Sequence, residues 1–290
     1  MPGSPPATDS AFTMFAPGQS VTLDNDRGQH FIFTIVRPFA PFTKSVVLLV
    51  RCADVSSEPI ILKIYDPRFL DDRLGLTPVD PSRPAIPSRP WSLENERAAP
   101  DTYDEDDLWE ESPAPDDVAG HTARAALWEA HYQYLSTECF DSEHAAYTHL
   151  QHLQGAAIPR LLMEGVLVPP DERAYRPPAL VMEYVKGVVF RDAPVEELTR
   201  DLCTALVSAV DSFGAHEVFH NDLNENNIIV APGRAVVIDF GCAGIRQPEQ
   251  DDESWSFNVA FANDVGRVQN LLRHKGVSNV DELVATTSAA

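Results

Sequence analysis

Two short apolar runs, Asn227-Ile-Ile-Val230 and Ala235-Val-Val-Ile238, stand on either side of Ala231-Pro-Gly-Arg234. This arrangement most limits what the chain can fold into. Runs of this length, rich in β-branched residues, read as buried strands, and a Pro-Gly pair between them makes a tight turn. A β-hairpin is therefore predicted, and both of its ends carry chemistry. His220-Asn-Asp-Leu-Asn-Glu-Asn-Asn227 leads into it, and Asp239-Phe-Gly241 follows it directly. Asp222 can take a proton from a hydroxyl, while Asn227 and Asp239 offer an amide oxygen and a carboxylate to a hard cation.

In order and spacing these residues resemble the catalytic loop (H-R-D-L-x-x-x-N) and metal loop (D-F-G) of the protein-kinase superfamily. The resemblance covers roughly residues 20–275, apart from an insertion. It implies an α+β, bilobal protein-kinase-like fold with a β-rich N-lobe and a shortened helical C-lobe. It also implies transfer of the γ-phosphate of ATP to a hydroxyl, with Mg2+ as the metal. Asp222 becomes the catalytic base or orienter of the hydroxyl, and Asn227 and Asp239 the metal ligands. Lys63, alone in the apolar strand Ile60-Ile-Leu-Lys-Ile-Tyr65, becomes the phosphate cation, the other reading being a lysine on an edge strand facing solvent. Its family partner is a glutamate on the next helix, for which Glu143 fits best and Glu129 and Glu138 are the alternatives. Val181-Met-Glu-Tyr-Val185 is similar to the hinge, so Met182 borders the adenine pocket and Glu183 and Val185 contribute backbone. His220 reads as a packed residue bracing the loop. Asp264 is open between two roles, bonding the catalytic loop from below or simply starting a helix.

The rest of the chain follows that order. Residues 1–20 are Pro/Ser/Gly-rich and read as a flexible N-terminus. Strands are predicted at His30–Val36, Ser45–Val50 and Pro59–Tyr65, forming an antiparallel meander. Residues 66–120 hold fifteen Asp or Glu, five Arg and nine Pro, with no apolar period, which predicts a disordered insertion within an N-lobe spanning 21–185. Helices are expected at His121–Leu135 and Asp141–Leu153, strands at Pro159–Met163 and Ala179–Val185. A helix opened by Asp192 and Pro194, the catalytic hairpin and a last helix at about 262–274 then make up a C-lobe of 186–290. Pro78-Val-Asp-Pro-Ser-Arg83 and Pro84-Ala-Ile-Pro-Ser-Arg89 match the P-x-x-P-x-R pattern that SH3-type partners read, although proline-rich linkers produce it freely.

Departures from the family pattern bear on activity. The turn between the first two predicted strands, Arg37-Pro-Phe-Ala-Pro-Phe-Thr-Lys-Ser45, has no glycine, so backbone amides cannot cradle phosphates in the usual way. Asn221 replaces the arginine that receives an activation-loop phosphate. Asn224 and Asn226 stand where a Lys or Arg usually neutralises the γ-phosphate, leaving Lys44 or Arg246 to supply that charge. Only 25 residues separate Asp239 from Asp264 and no A-P-E follows. The acceptor is accordingly either a protein Ser/Thr or a small alcohol, as in the aminoglycoside and choline kinases, and the competing reading is an ATP-binding pseudokinase or scaffold.

Charge and cysteines narrow the setting. A net charge of -22 repels nucleic-acid phosphates and anionic membranes. The four cysteines form no C-x-x-C pair, which favours a reduced compartment over a zinc site. No basic-then-apolar leader and no apolar run of about 20 residues is visible, so a soluble, cytoplasmic protein is expected.

Overall fold

The computed structural model describes residues 14–75, 87–173 and 175–283. They form two compact units, one of residues up to Phe140 plus Leu162–Met182, the other of Asp141–Leu161 plus the chain from Glu183 onward.

In the first unit, β1 (Ser20–Asp24), β2 (His30–Pro38), β3 (Val46–Cys52) and β4 (Ser56–Ile64) run as an antiparallel meander. With β5 (Leu161–Val168) and β6 (Pro178–Glu183) they close a barrel in the order β1-β2-β3-β4-β6-β5. Alternation drives this: Phe33 and Ile35 of β2 point inward while Ile32, Thr34 and Val36 are exposed, the period of two that a half-buried strand requires. Leu23, Phe33, Leu48, Leu62 and Ile64 are among the core residues, each contributing about 1.5–3 kcal/mol by burial. Strand β1, too short to stand out in the sequence, seals the barrel by pairing with both β2 and β5. Of the N-terminus expected to be loose, residues 1–13 lie outside the described residues, but Phe15 is buried in the barrel core.

The expectation of a disordered stretch over 66–120 fails for its described residues. Helix α1 (Leu93–Ala98) is capped by Ser92, whose side chain accepts from Asn95 N. Its Glu96 is bound by Arg173 (Nη2–Oε2 2.6 Å) and by the Trp91 indole (2.7 Å), and Arg173 also reaches Asp66 at 3.0 Å. Asp66, Glu96 and Arg173 are all buried. Arg73 and Glu129 form a second buried pair at 2.5 and 3.0 Å. Arg89 lies 3.6 Å from the centre of the Trp128 ring. The segment is therefore fixed by arginine, tryptophan and carboxylate anchors, which leave no apolar period to read. The proline pattern at residues 78–89 lies mostly outside the described residues, and only its end, Pro87–Arg89, is described.

The two helices expected at 121–135 and 141–153 are one, α2 (Val118–His149). Ser136-Thr-Glu-Cys-Phe140 contains no Gly or Pro to break it, and the Thr137 hydroxyl bonds Gln133 O at 3.0 Å within the helix. Residues 141–161, expected in the N-lobe, pack in the second unit, where Val237 N donates to Ala157 O at 2.8 Å.

In the second unit, the helix expected to open at Asp192 starts later. Residues 190–192 and 195–197 form 3-10 turns, and α3 (Arg200–Ser212) is capped by Thr199. β7 (Val188–Val189), β9 (Ile228–Ala231) and β10 (Arg234–Val237) form a small sheet, while β8 (Val218–Phe219) pairs with β11 (Gly244–Ile245). The predicted hairpin is β9–β10, with Gly233 at φ +77 in its turn. The last helix, expected at about 262–274, is α5 (Asp264–His274); a helix that was not expected, α4 (Asp252–Ala262), precedes it, and left-handed Asn263 parts the two. No helix among the described residues is long and apolar enough to cross a membrane.

Candidate functional site

The hairpin fixes the loop leading into it through one carboxylate. Asp264, the first residue of α5, accepts from His220 N at 2.5 Å and Asn221 N at 3.1 Å. Of its two sequence readings, the structure therefore selects the one that bonds the loop. His220 is buried, its Nδ1 accepting from Asp222 N (3.3 Å) and its Nε2 lying 3.0 Å from Ile238 O. With Nδ1 accepting, the Nε2 tautomer carries the proton and donates to that carbonyl. The imidazole thus ties the loop before the hairpin to the strand end after it, the bracing role expected of His220.

Asn221 sits at φ 65 and Asp239 at φ 68, a left-handed conformation that Asn and Asp enter more easily than other side chains. The Asn227 amide donates to Asp222 O (2.8 Å) and to the Asp222 carboxylate (3.2 Å). Both contacts use Nδ2, so the Oδ1 carbonyl is the half of the amide left to a cation. Asn227 and Asp239 offer an amide oxygen and a carboxylate, hard oxygen donors of the kind Mg2+ takes, a cation that keeps waters and substrate phosphates in its shell.

Phe240 organises the interior behind these groups. Its ring lies 4.7 Å from His220, 5.8 Å from Phe213 and 5.7 Å from Tyr147. Tyr147 and Glu143 share a face of α2 one turn apart. Burial, then the charges of Glu143 and Asp239, hold the Tyr147 hydroxyl well above its usual pKa. Glu143 is fully buried. Of its alternatives, Glu129 is engaged by Arg73 and Glu138 is exposed.

Val185 packs with Ala231 and Val236. The Glu183 amide donates to Arg160 O at 2.9 Å, so the backbone group it retains for a ligand is its carbonyl. Its carboxylate takes Arg234 Nη2 at 2.6 Å and Arg160 N at 3.1 Å. Burial would raise its pKa, but those bonds leave it below the ordinary carboxylate value.

In the first unit, Lys63 is 5% exposed on β4, which lies between β3 and β6. The reading as a solvent-facing edge lysine does not hold. Its ammonium lies 5.5 Å from the centre of the Tyr65 ring. Met182, at the end of β6, is buried as well. The glycine-free turn between β2 and β3 is held by its aromatic tip: Phe42 packs edge-on against Phe15 (6.1 Å) and Phe69 (5.7 Å). Lys44 beside it is exposed.

Sequence reasoning missed Arg191. Its guanidinium donates to Asn226 Oδ1 at 2.8 Å and its amide to Glu225 O at 3.1 Å, so a cation stands against the loop whose own basic residue is missing. Arg246, one of the cations expected there, is instead bound to Gln250 O and to Asp252. No local signal marks Arg191, because it precedes the loop by some thirty residues and is brought there by β7.

The family model of the RIO domain matches residues 132–284, 153 of the 290 residues and so more than half of the chain. The chain belongs to the RIO domain family. That places it within the protein-kinase-like superfamily. The RIO domain match takes in Glu143, Met182, Glu183, Val185, Asp222, Asn227 and Asp239, and leaves Lys63 outside. Among curated proteins, a probable serine/threonine-protein kinase of Bacillus subtilis, YbdM, is 30% identical over 111 residues, 36% of this chain and 41% of that protein. A probable bifunctional tRNA threonylcarbamoyladenosine biosynthesis protein of Methanothermobacter thermautotrophicus is 42% identical over 62 residues, 21% of this chain and 11% of that protein. The chain thus spans less than half the length of the curated relatives it matches. A solved structure of a mutant PknI kinase domain from Mycobacterium tuberculosis aligns over 83% of this chain and 70% of that one, at 16% identity and a TM-score of 0.40.

Proposed function

We propose that this RIO domain protein transfers the γ-phosphate of ATP to a hydroxyl, a protein Ser/Thr in the first instance. The observation that carries the reading is the loop geometry: Asp264 holds two loop amides, and Asp222 takes the Asn227 amide nitrogen, which leaves the Asn227 carbonyl for a metal. Phosphoryl transfer needs positioned charges and an aimed acceptor more than covalent work by the protein. Asp222 orients the acceptor and receives its proton as the hydroxyl oxygen bonds to the γ-phosphorus. The bond from that phosphorus to the β–γ bridging oxygen breaks, and ADP leaves. Asn227 and Asp239 would hold Mg2+, which neutralises phosphate charge. Lys63 is assigned to the α/β-phosphates with Glu143 as its counter-charge, while Met182 and the backbone of Glu183 and Val185 are assigned to adenine. Arg191 takes the part of the absent γ-phosphate cation. The two compact units are read as the N-lobe and C-lobe.

A second reading, a nucleotide-binding pseudokinase, is favoured by one observation, the glycine-free turn pinned at Phe42. Thermal-shift titration with Mg-ATP and radiolabelled phosphate transfer to a general Ser/Thr substrate separate the two. Binding to the folded state must raise stability. The phosphotransferase reading expects a shift that Lys63→Ala and Asp239→Ala abolish, and transfer that Asp222→Ala abolishes. A shift without transfer to protein or small-alcohol acceptors leaves the pseudokinase.

A further inference from the structure

One face of α4 has no role in the site just described. Phe257 and Phe261, one turn apart, are 67% and 80% exposed, and their rings stack at 6.2 Å with 19° between planes. Single exposed apolar residues are ordinary, but a stacked aromatic pair is a patch. The opposite side of the helix is anchored, because the Trp255 indole donates to Gly214 O at 3.0 Å and packs on Phe219 at 5.4 Å. The pair is therefore displayed on a fixed element.

Two further observations say what the face takes. First, Ala260, three residues after Phe257 and beside it on the helix, lines a cavity of about 190 Å³ bordered by Phe213, Phe219, Val259 and Asp211, with Asp264 of the site also in its wall. That is smaller than the roughly 300–1,000 Å³ of pockets for drug-sized ligands, and its size fits one apolar side chain. Second, Glu249, Asp251, Asp252 and Glu253 cluster at the start of the helix, with Glu253 one turn before Phe257 on the same face. Of these, Asp252 is paired with Arg246 and Asp251 caps the helix through Ser254. A second copy would set those carboxylates and the -22 charge against their own kind, which disfavours self-association.

We propose that this face docks a basic protein segment, which seats one apolar side chain beside Ala260 and lays its cationic residues along Glu253 and Asp211. The docking needs neither ATP nor phosphoryl transfer. The test is fluorescence anisotropy with a labelled arginine peptide bearing one central leucine, alongside the same peptide with alanine at the centre. Binding of the leucine peptide is expected to be about tenfold tighter than that of the alanine peptide. Phe257→Ser with Phe261→Ser should remove that preference, and Glu253→Lys should weaken both peptides. Because all three positions are exposed, circular dichroism and the Mg-ATP thermal shift serve as controls that are expected to stay unchanged. Ala260→Arg, which puts a long cationic side chain on the cavity wall, is the second variant and should also remove the preference. Equal affinity for the two peptides, or a preference that survives both aromatic and cavity variants, overturns the proposal. A dimer in sedimentation that the double serine variant dissolves overturns it in favour of a second copy.

Discussion

Asp264 shows how much a single side chain can carry. It accepts from two amides of the loop that holds Asp222, and removing a buried acceptor leaves both donors without a bond, at a cost of about 1–3 kcal/mol each. Asp264→Ala is therefore expected to lower unfolding stability by about 2–6 kcal/mol in urea titration, and phosphate transfer should fall more steeply than ATP affinity. Arg191 makes the complementary case. It lies on the surface and bonds Asn226, so Arg191→Gln should leave the melting temperature nearly unchanged. It should lower kcat by about tenfold or more with little change in KM for ATP, as expected when a charge acts chiefly in the transition state. Equal kcat values for the two proteins would remove Arg191 from the reaction. Local spacing announced Asp222, Asn227, Asp239 and the bracing His220, because those residues adjoin the hairpin they serve. Arg191 and the choice between the two roles of Asp264 depended on bonds across the fold, which no window of sequence contains.

At the scale of elements, legibility followed the kind of anchor each element uses. Apart from the short β1, the strands of the meander and of the β9–β10 hairpin rest on aliphatic and β-branched runs and were readable. Helix α4 was missed although Asp251 and the acids after it form a capping signal; the side chain of Asp251 accepts from Ser254 N at 2.8 Å. Acidic, proline-rich composition was misleading in the insertion, since three of its charges, Asp66, Arg73 and Glu96, are buried in ion pairs. Arg173 bridges Asp66 and Glu96, and deleting one member of a buried ionic group leaves charges uncompensated at a cost of about 3–5 kcal/mol. Arg173→Leu is expected to lose about that much and to expose residues 87–120 to limited proteolysis, while the same segment of the parent protein resists cleavage. Rapid cleavage of the parent within 87–120 would restore the expectation of disorder.

For the whole molecule, the acid response follows from carboxylates held by arginines. Despite its burial, Asp66 lies below its ordinary 3.8 through Arg68 and Arg173. Despite partial burial, Glu183 lies below its ordinary 4.5 through Arg234 and Arg160. A carboxyl whose folded pKa is depressed contributes stability that is complete above its unfolded value and is lost as pH falls through the folded value. Melting temperature should thus be flat from about pH 7 to 5.5 with respect to these groups and fall below about pH 4.5. Glu183→Gln should start lower and lose less over that range; an identical slope in both proteins would remove Glu183 from the transition. The closed barrel also sets an order in time. β1 (Ser20–Asp24) is made well before its second partner, β5 (Leu161–Val168). Until then, both edges of the nascent sheet, β1 and β4, stay open to any neighbouring strand. Ribosome-bound chains that end before Leu161 should consequently depend on chaperones, and that dependence should be released only once β6, which joins β4 to β5, has been made.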